Sequence, residues 1–116
     1  MDNSLEHTLG LPGCDQVGFV VKDLDVAMQQ YAPLFGPFTT MVGDVDAADF
    51  RGERKDAQLM IAFGKSGDLE IELIEWKGGE SPHSEFIQAG REGMHHIRYS
   101  VDDCDTCVTK AESMVF

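Results

Sequence analysis

An internal repeat constrains this chain more than any other feature. Shifted by 80 residues, the segment QVGFVVKDLD that begins at Gln16 lies over HIRYSVDDCD, which begins at His96. Val21, Asp23 and Asp25 recur as Val101, Asp103 and Asp105, while Val17 and Phe19 recur in kind as Ile97 and Tyr99. Each copy reads as a strand, an Asp cap and a helix. Two copies of one supersecondary unit imply that each covers an apolar face of the other.

The segments between the copies read as further strands. Alternation from Gln16 to Val21 predicts a strand, and Asp23 an N-cap for a helix from Leu24 that Pro33 and Gly36 close. Phe38 to Val42 reads as a short strand and Gly43 to Lys55 as a charged loop or ragged edge. Gln58 to Phe63 and Leu69 to Trp76 read as strands around a turn over Gly64 to Gly67. Ser81 to Ala89 suits a short helix, with Pro82 at its first position and Gly90 beyond its end. Met94 to Val101 reads as a strand, and Cys104 to Met114 as a helix capped by Asp103. Residues 1–13 read as a loose lead-in and 14–116 as one domain.

Charge and cysteine usage exclude several classes of function. The 116 residues carry 9 Lys and Arg against 21 Asp and Glu, a formal charge of −12. Such a balance argues against nucleic acid as a partner, since phosphate attraction dominates that affinity. The longest apolar run, Leu59 to Phe63, is far short of the about 20 residues a membrane span needs. The acidic start, Met1 to Glu6, lacks the apolar stretch of a secretory signal. Three cysteines, Cys14, Cys104 and Cys107, suit a reducing cytoplasm better than a disulfide framework. The C-x-x-C of Cys104 and Cys107 lies on a predicted helix, where residues three apart are neighbours.

Strand parity then selects candidate site residues. If Val17, Phe19 and Val21 face the helices, Gln16, Gly18 and Val20 face the opposite, concave side. By the same parity Ile97, Tyr99 and Val101 lie under the helices, and His96, Arg98 and Ser100 point into the concavity. Leu69, Ile71 and Leu73 pack inward, leaving Glu70, Glu72, Ile74 and Trp76 on the other face. Gln16, Glu72 and His96 thus share one surface, and an amide oxygen, a carboxylate and an imidazole suit a divalent metal. Glu70 reads as a surface charge, His95 as packed or capping, and His7 and His83 as solvent-exposed. Met60, Ala62 and Trp76 either line a substrate pocket on the concave side or fill space between modules. Arg98 either binds an acidic substrate group or pairs with a carboxylate of the chain.

The polar residue that opens each repeat strand and the Glu in ELIEW resemble the vicinal-oxygen-chelate superfamily. That group includes glyoxalase I, methylmalonyl-CoA epimerase, extradiol dioxygenases and bleomycin-resistance proteins. The stretch SPHSEFIQAGREGMHHIRYSVDD is most similar to the epimerase pattern, in which a helix and a Gly precede a double His. The resemblance implies an α+β fold of paired βαβββ modules, forming a curved mixed sheet around a concave metal site. Module one would be 14–80, and 94–116 would open a second, incomplete one, with its remaining strands and a fourth ligand expected beyond Phe116. Gln16, Glu72 and His96 then occupy the first three metal-ligand places, with Gln16 where many members have His.

The resemblance further implies a divalent ion (Zn, Co, Ni, Mn or Mg) and proton abstraction beside a carbonyl, the catalytic carboxylate being Glu72 when partly displaced or the acidic residue expected beyond Phe116. Arg98, Met60 and Trp76 would bind the substrate, an acyl-CoA or a thiol adduct, and a homodimer is expected by analogy. The alternatives are a glyoxalase I-type lyase, and a metal-free protein that sequesters a small molecule.

Overall fold

Both Asp caps form as the repeat predicts. The Asp23 carboxylate accepts from the Val26 N–H at 3.1 Å, and Asp103 accepts from the Thr106 N–H at 3.0 Å. The computed structural model describes residues 8–113. Its elements run β1 (Gln16–Val20), α1 (Leu24–Phe35), β2 (Thr39–Phe50), β3 (Glu53–Ser66), β4 (Leu69–Gly79), α2 (Pro82–Gln88), β5 (Gly93–Arg98) and α3 (Cys104–Glu112).

The five strands form one mixed sheet in the order β2-β3-β4-β1-β5. Only β1 and β4 run parallel; the other neighbours are antiparallel. The two repeat strands, β1 and β5, lie side by side, with Val17 opposite Ile97. Together with α1, α2 and α3 this is an α+β fold.

Helix α1 covers one face of the sheet. Its Leu24 and Ala27 join Val21, Ala62, Ile71 and Leu73 in a buried apolar cluster, and Phe19 and Met60 pack against it. Phe19 also stacks on Tyr31 of α1, centroid to centroid 6.4 Å. Removing the cap that starts a helix packed on the core is costly. Asp23→Ala is expected to destabilise the protein by about 1 kcal/mol in urea unfolding. Asp103→Ala is expected to lower the global midpoint less, because α3 buries none of its residues.

The opposite face is polar at one end and apolar at the other. Val20 and Ile74 are 0% and 2% exposed although they point away from α1. Helix α2 packs against β4 and β1 and buries Phe86. A capping box starts α2: Ser84 N–H donates to the Ser81 hydroxyl, and Ser81 N–H donates to that of Ser84. At its outer side, Arg51 grips Glu85 through two hydrogen bonds of 2.7 and 3.0 Å, tying α2 to the β2–β3 hairpin.

Several expected boundaries differ. Residues 43–55, read as a loop, belong to β2 and β3 and the turn between them. Arg51 and Gly52 carry φ of 53° and 81°, the paired positive values of a type I′ hairpin turn. Asp44, Asp46 and Asp49, which suggested a loop, lie on β2, an edge strand, where charge deters pairing with another chain. The β3–β4 turn is also tighter than expected, occupying Gly67 and Asp68 alone, with Gly67 at φ 61°. Strand β5 ends at Arg98 and is the other edge of the sheet. Ile97, expected under a helix, is 49% exposed because α3 does not cover it. His7 lies outside the described residues.

Candidate functional site

The site is assembled on three adjacent strands. Gly18 of β1 sits opposite Glu72 of β4 on one side and His96 of β5 on the other. Neighbours in register present side chains on the same face, so Glu72 and His96 flank Gly18. A Cβ at position 18 would fall 2.2 Å from His96 Cε1 and 2.4 Å from Nε2. The missing side chain is therefore the space in which the imidazole rests. Across that gap His96 Nε2 lies 3.1 Å from Glu72 Oε1.

Gln16, two residues earlier on β1, is 5% exposed and aims its amide oxygen at the same nitrogen, also at 3.1 Å. Its amide nitrogen donates to Glu70 Oε1 at 2.7 Å. Glu70, read from sequence as a surface charge, is thus the group that holds Gln16 with its oxygen toward His96. No signal in a lone strand identifies this, because the contact follows from the β1–β4 register.

Two oxygens share one ring nitrogen. A single ring proton serves both poorly, whereas a divalent cation would engage all three lone pairs. This donor set, one imidazole nitrogen with amide and carboxylate oxygens, fits such an ion.

Burial pushes the Glu72 carboxyl above its ordinary pKa, and the adjacent His96 offsets only part of that shift. The neighbouring Asp15 is held below the usual carboxylate range by hydrogen bonds from Ser100 and Arg98. Arg98 Nε donates to Asp15 at 2.6 Å, and its terminal nitrogen lies 3.8 Å from Glu70. Of the two roles weighed for Arg98, the structure places it against carboxylates of the chain itself.

Met60 does not reach the site face. It stands opposite Glu75 and packs on the cluster beneath α1, as does Ala62 opposite Leu73. Ile61 and Phe63, opposite Ile74 and Glu72, take the site face instead. The cause is register. The run from Leu59 to Phe63 is apolar throughout, so alternation cannot orient it and the tight turn at Gly67 decides. Trp76 does lie in register with the site face, and its indole N–H donates to the Gly79 carbonyl at 3.1 Å.

Two further histidines join the cluster. The β1–β5 register slips between Gly18 and Phe19, which pair with His96 and Met94 and leave His95 as a bulge. A bulge re-aims side chains. His95 Nδ1 accordingly comes within 3.0 Å of His96 Nδ1, although strict alternation would separate them. His83 of α2, expected in solvent, is half-buried with its ring centroid 4.9 Å from that of His95. The S-P-H-S capping pattern could have placed His83 on a helix, but not this helix on the sheet.

Burial, then the positive charge that His95 and His96 can carry, push His83 down to about 4. Between about 4 and the ordinary value of 6.5 the unfolded chain binds a proton that the folded chain does not. Stability therefore rises with pH across this window. His83→Gln is expected to remove up to about 3 kcal/mol of that pH dependence in metal-free protein. Urea midpoints at both ends of the window measure it.

A family described as the Glyoxalase/Bleomycin resistance protein/Dioxygenase superfamily matches residues 15–116. The chain belongs to this superfamily. A search of curated proteins finds no match. Solved structures similar to this superfamily member include hypothetical protein BH1468 from Bacillus halodurans C-125. It is 25% identical with a TM-score of 0.61, over 87% of this chain and 67% of that one. The methylmalonyl-CoA epimerase of Mycobacterium tuberculosis is 23% identical with a TM-score of 0.57, over 97% and 67%. A variant of the Streptomyces coelicolor epimerase, in complex with 2-nitronate-propionyl-CoA, is 20% identical with a TM-score of 0.56, over 89% and 69%. The epimerase likenesses establish the fold that this chain shares with them. Among the described residues no helix is long and apolar enough to cross a membrane.

Proposed function

We propose that this chain carries the metal-binding strands of an isomerase that moves a proton beside a carbonyl, with an acyl-CoA as its substrate. The observation behind this reading is the meeting of Gln16, Glu72 and His96 over the bare backbone of Gly18. A divalent ion bound there would act as a Lewis acid toward substrate oxygens.

The proton chemistry belongs to Glu72. A carboxyl whose pKa is raised by burial is a stronger base than an exposed one, and an effective acid once protonated. The α-carbon–hydrogen bond breaks, its proton passes to a Glu72 oxygen, and its electron pair moves onto the carbonyl oxygen. A proton from water adds to the opposite face of that carbon as the electron pair returns from the carbonyl oxygen, which inverts it, and Glu72 releases its own proton to solvent. His96 holds Glu72 in place, Gln16 braces His96, and Glu70 holds Gln16. Lys65, opposite Glu70 in the β3–β4 pair, supplies a cation for the anionic part of a CoA ester on an otherwise acidic protein.

Incubation with methylmalonyl-CoA and a divalent metal in heavy water tests the reading. Deuterium is expected at the α-carbon and is expected to be lost with a chelator. Its absence under both conditions would overturn the acyl-CoA reading. A second reading, a lyase acting on a thiol hemithioacetal, draws on the amide oxygen that Gln16 turns toward His96. Turnover of the methylglyoxal–glutathione adduct without α-deuteration of methylmalonyl-CoA selects it.

A further inference from the structure

The His96 ring has two working sides. Nε2 faces the oxygens of Gln16 and Glu72, while Nδ1 faces His95 Nδ1 at 3.0 Å. His83, His95 and His96 each offer a ring nitrogen, and the three atoms lie within 4.8 Å of one another. Nitrogens bound to one zinc ion at about 2.0–2.1 Å stand roughly 3.3 Å apart in tetrahedral geometry. The His95–His96 pair is already near that separation, and the His83 nitrogen stands within 4.8 Å of both.

Two unrelated devices create this grouping. The bulge in β5 brings His95 beside His96. The capping box and Pro82 place His83 on the first turn of α2, where the Ser81 hydroxyl lies 3.3 Å from His83 Nδ1. The backbone of Pro82, which can only accept, lies near enough to His95 to favour its protonated form. Such contacts from hydroxyls and carbonyls fix the tautomer and orientation of ligating imidazoles.

We propose that His83, His95 and the Nδ1 side of His96 form a second metal site, nitrogen-only and selective for Zn²⁺, Ni²⁺ or Cu²⁺. Imidazole donors suit these ions, whereas Mg²⁺ and Mn²⁺ prefer oxygen. A neutral imidazole carries one proton and one lone pair. His96 can therefore ligate on one side at a time. An ion on Nδ1 leaves Nε2 as an N–H that donates to Glu72 or Gln16. An ion on Nε2 leaves Nδ1 as an N–H that donates to His95. Filling the histidine site thus weakens the oxygen-rich site by competition for one ring. This competition rests on the functional reading above, whereas the existence of the histidine site does not.

Equilibrium dialysis of the chain against Zn²⁺, with its thiols alkylated, is the test. One ion is expected to remain bound in Gln16→Ala/Glu72→Ala, and its affinity to fall at least 30-fold when His83→Gln and His95→Gln are added to that variant. Unchanged Zn²⁺ affinity on adding the histidine substitutions, or loss of Zn²⁺ from Gln16→Ala/Glu72→Ala, would overturn the site. If the fourfold variant does not fold, Cu²⁺ bound to Gln16→Ala/Glu72→Ala decides by its electron paramagnetic resonance. Coupling to three nitrogens is expected, and coupling to two or fewer rejects the proposal. Neither readout depends on turnover, so failure of the deuterium experiment leaves this result standing.

Discussion

Glu72→Gln is expected to lower α-proton exchange by about 10²- to 10⁴-fold, the contribution of a positioned general base, while making the protein more stable. The two effects share one cause. Glu72 is a mostly buried carboxylate whose pKa is raised because burial penalises the charged form. From the ordinary carboxylate pKa up to the raised one, the unfolded chain has released a proton that the folded chain keeps. Stability of the parent therefore falls as pH rises through that window. The neutral, nearly isosteric amide removes this slope. Urea midpoints measured on either side of the window are expected to differ in the parent and to converge in the variant, with the variant higher at neutral pH. A variant that loses both activity and stability would instead mark Glu72 as a structural partner of His96.

Gly18→Ala is expected to abolish the site while keeping the sheet. The added Cβ would stand 2.2 Å from the His96 ring, so the ring must leave the gap. That obstruction is the tip of a side chain rather than backbone, which limits the stability cost to about 1 kcal/mol, the low end for overpacking. Metal affinity at the Gln16–Glu72–His96 site is expected to fall at least about 100-fold, since a ligand is displaced as well as its support. Gly18→Ala/His96→Ala is expected to recover the lost stability without recovering metal binding. Calorimetric metal titration with thermal melts separates the two quantities. Retained affinity in the single variant would show that the ring need not occupy the gap.

Much of this arrangement can be read from the chain before folding. Alternation in β1, in the first half of β4 and around His96 has one apolar set each, so parity alone assigns Gln16, Glu72 and His96 to one face. Parity fails where its premise fails. The run around Met60 is apolar on both sides, and only a two-residue turn at Gly67 decides which side meets α1. His95 escapes because a bulge is a property of two strands in register and neither strand alone encodes it. His83 escapes because its burial depends on where α2 docks, through Phe86 beneath and Arg51 above. The charged stretch after Gly43 misleads for another reason: an edge strand has to be polar to stay unpaired, and that composition also describes a loop.

The side-by-side placement of β1 and β5 has a consequence for symmetry. Because Gln16 pairs with Arg98 and Gly18 with His96, exchanging the two copies maps each pair onto the other. A local dyad therefore passes through Val17 and Ile97. It relates Gln16 to His96, and it relates Gly18 to Arg98. One copy has given up a side chain so that the imidazole of the other can cross the axis. The other keeps a long guanidinium, which bends away to Asp15. A single glycine thus makes one half of the pair the floor and the other the occupant.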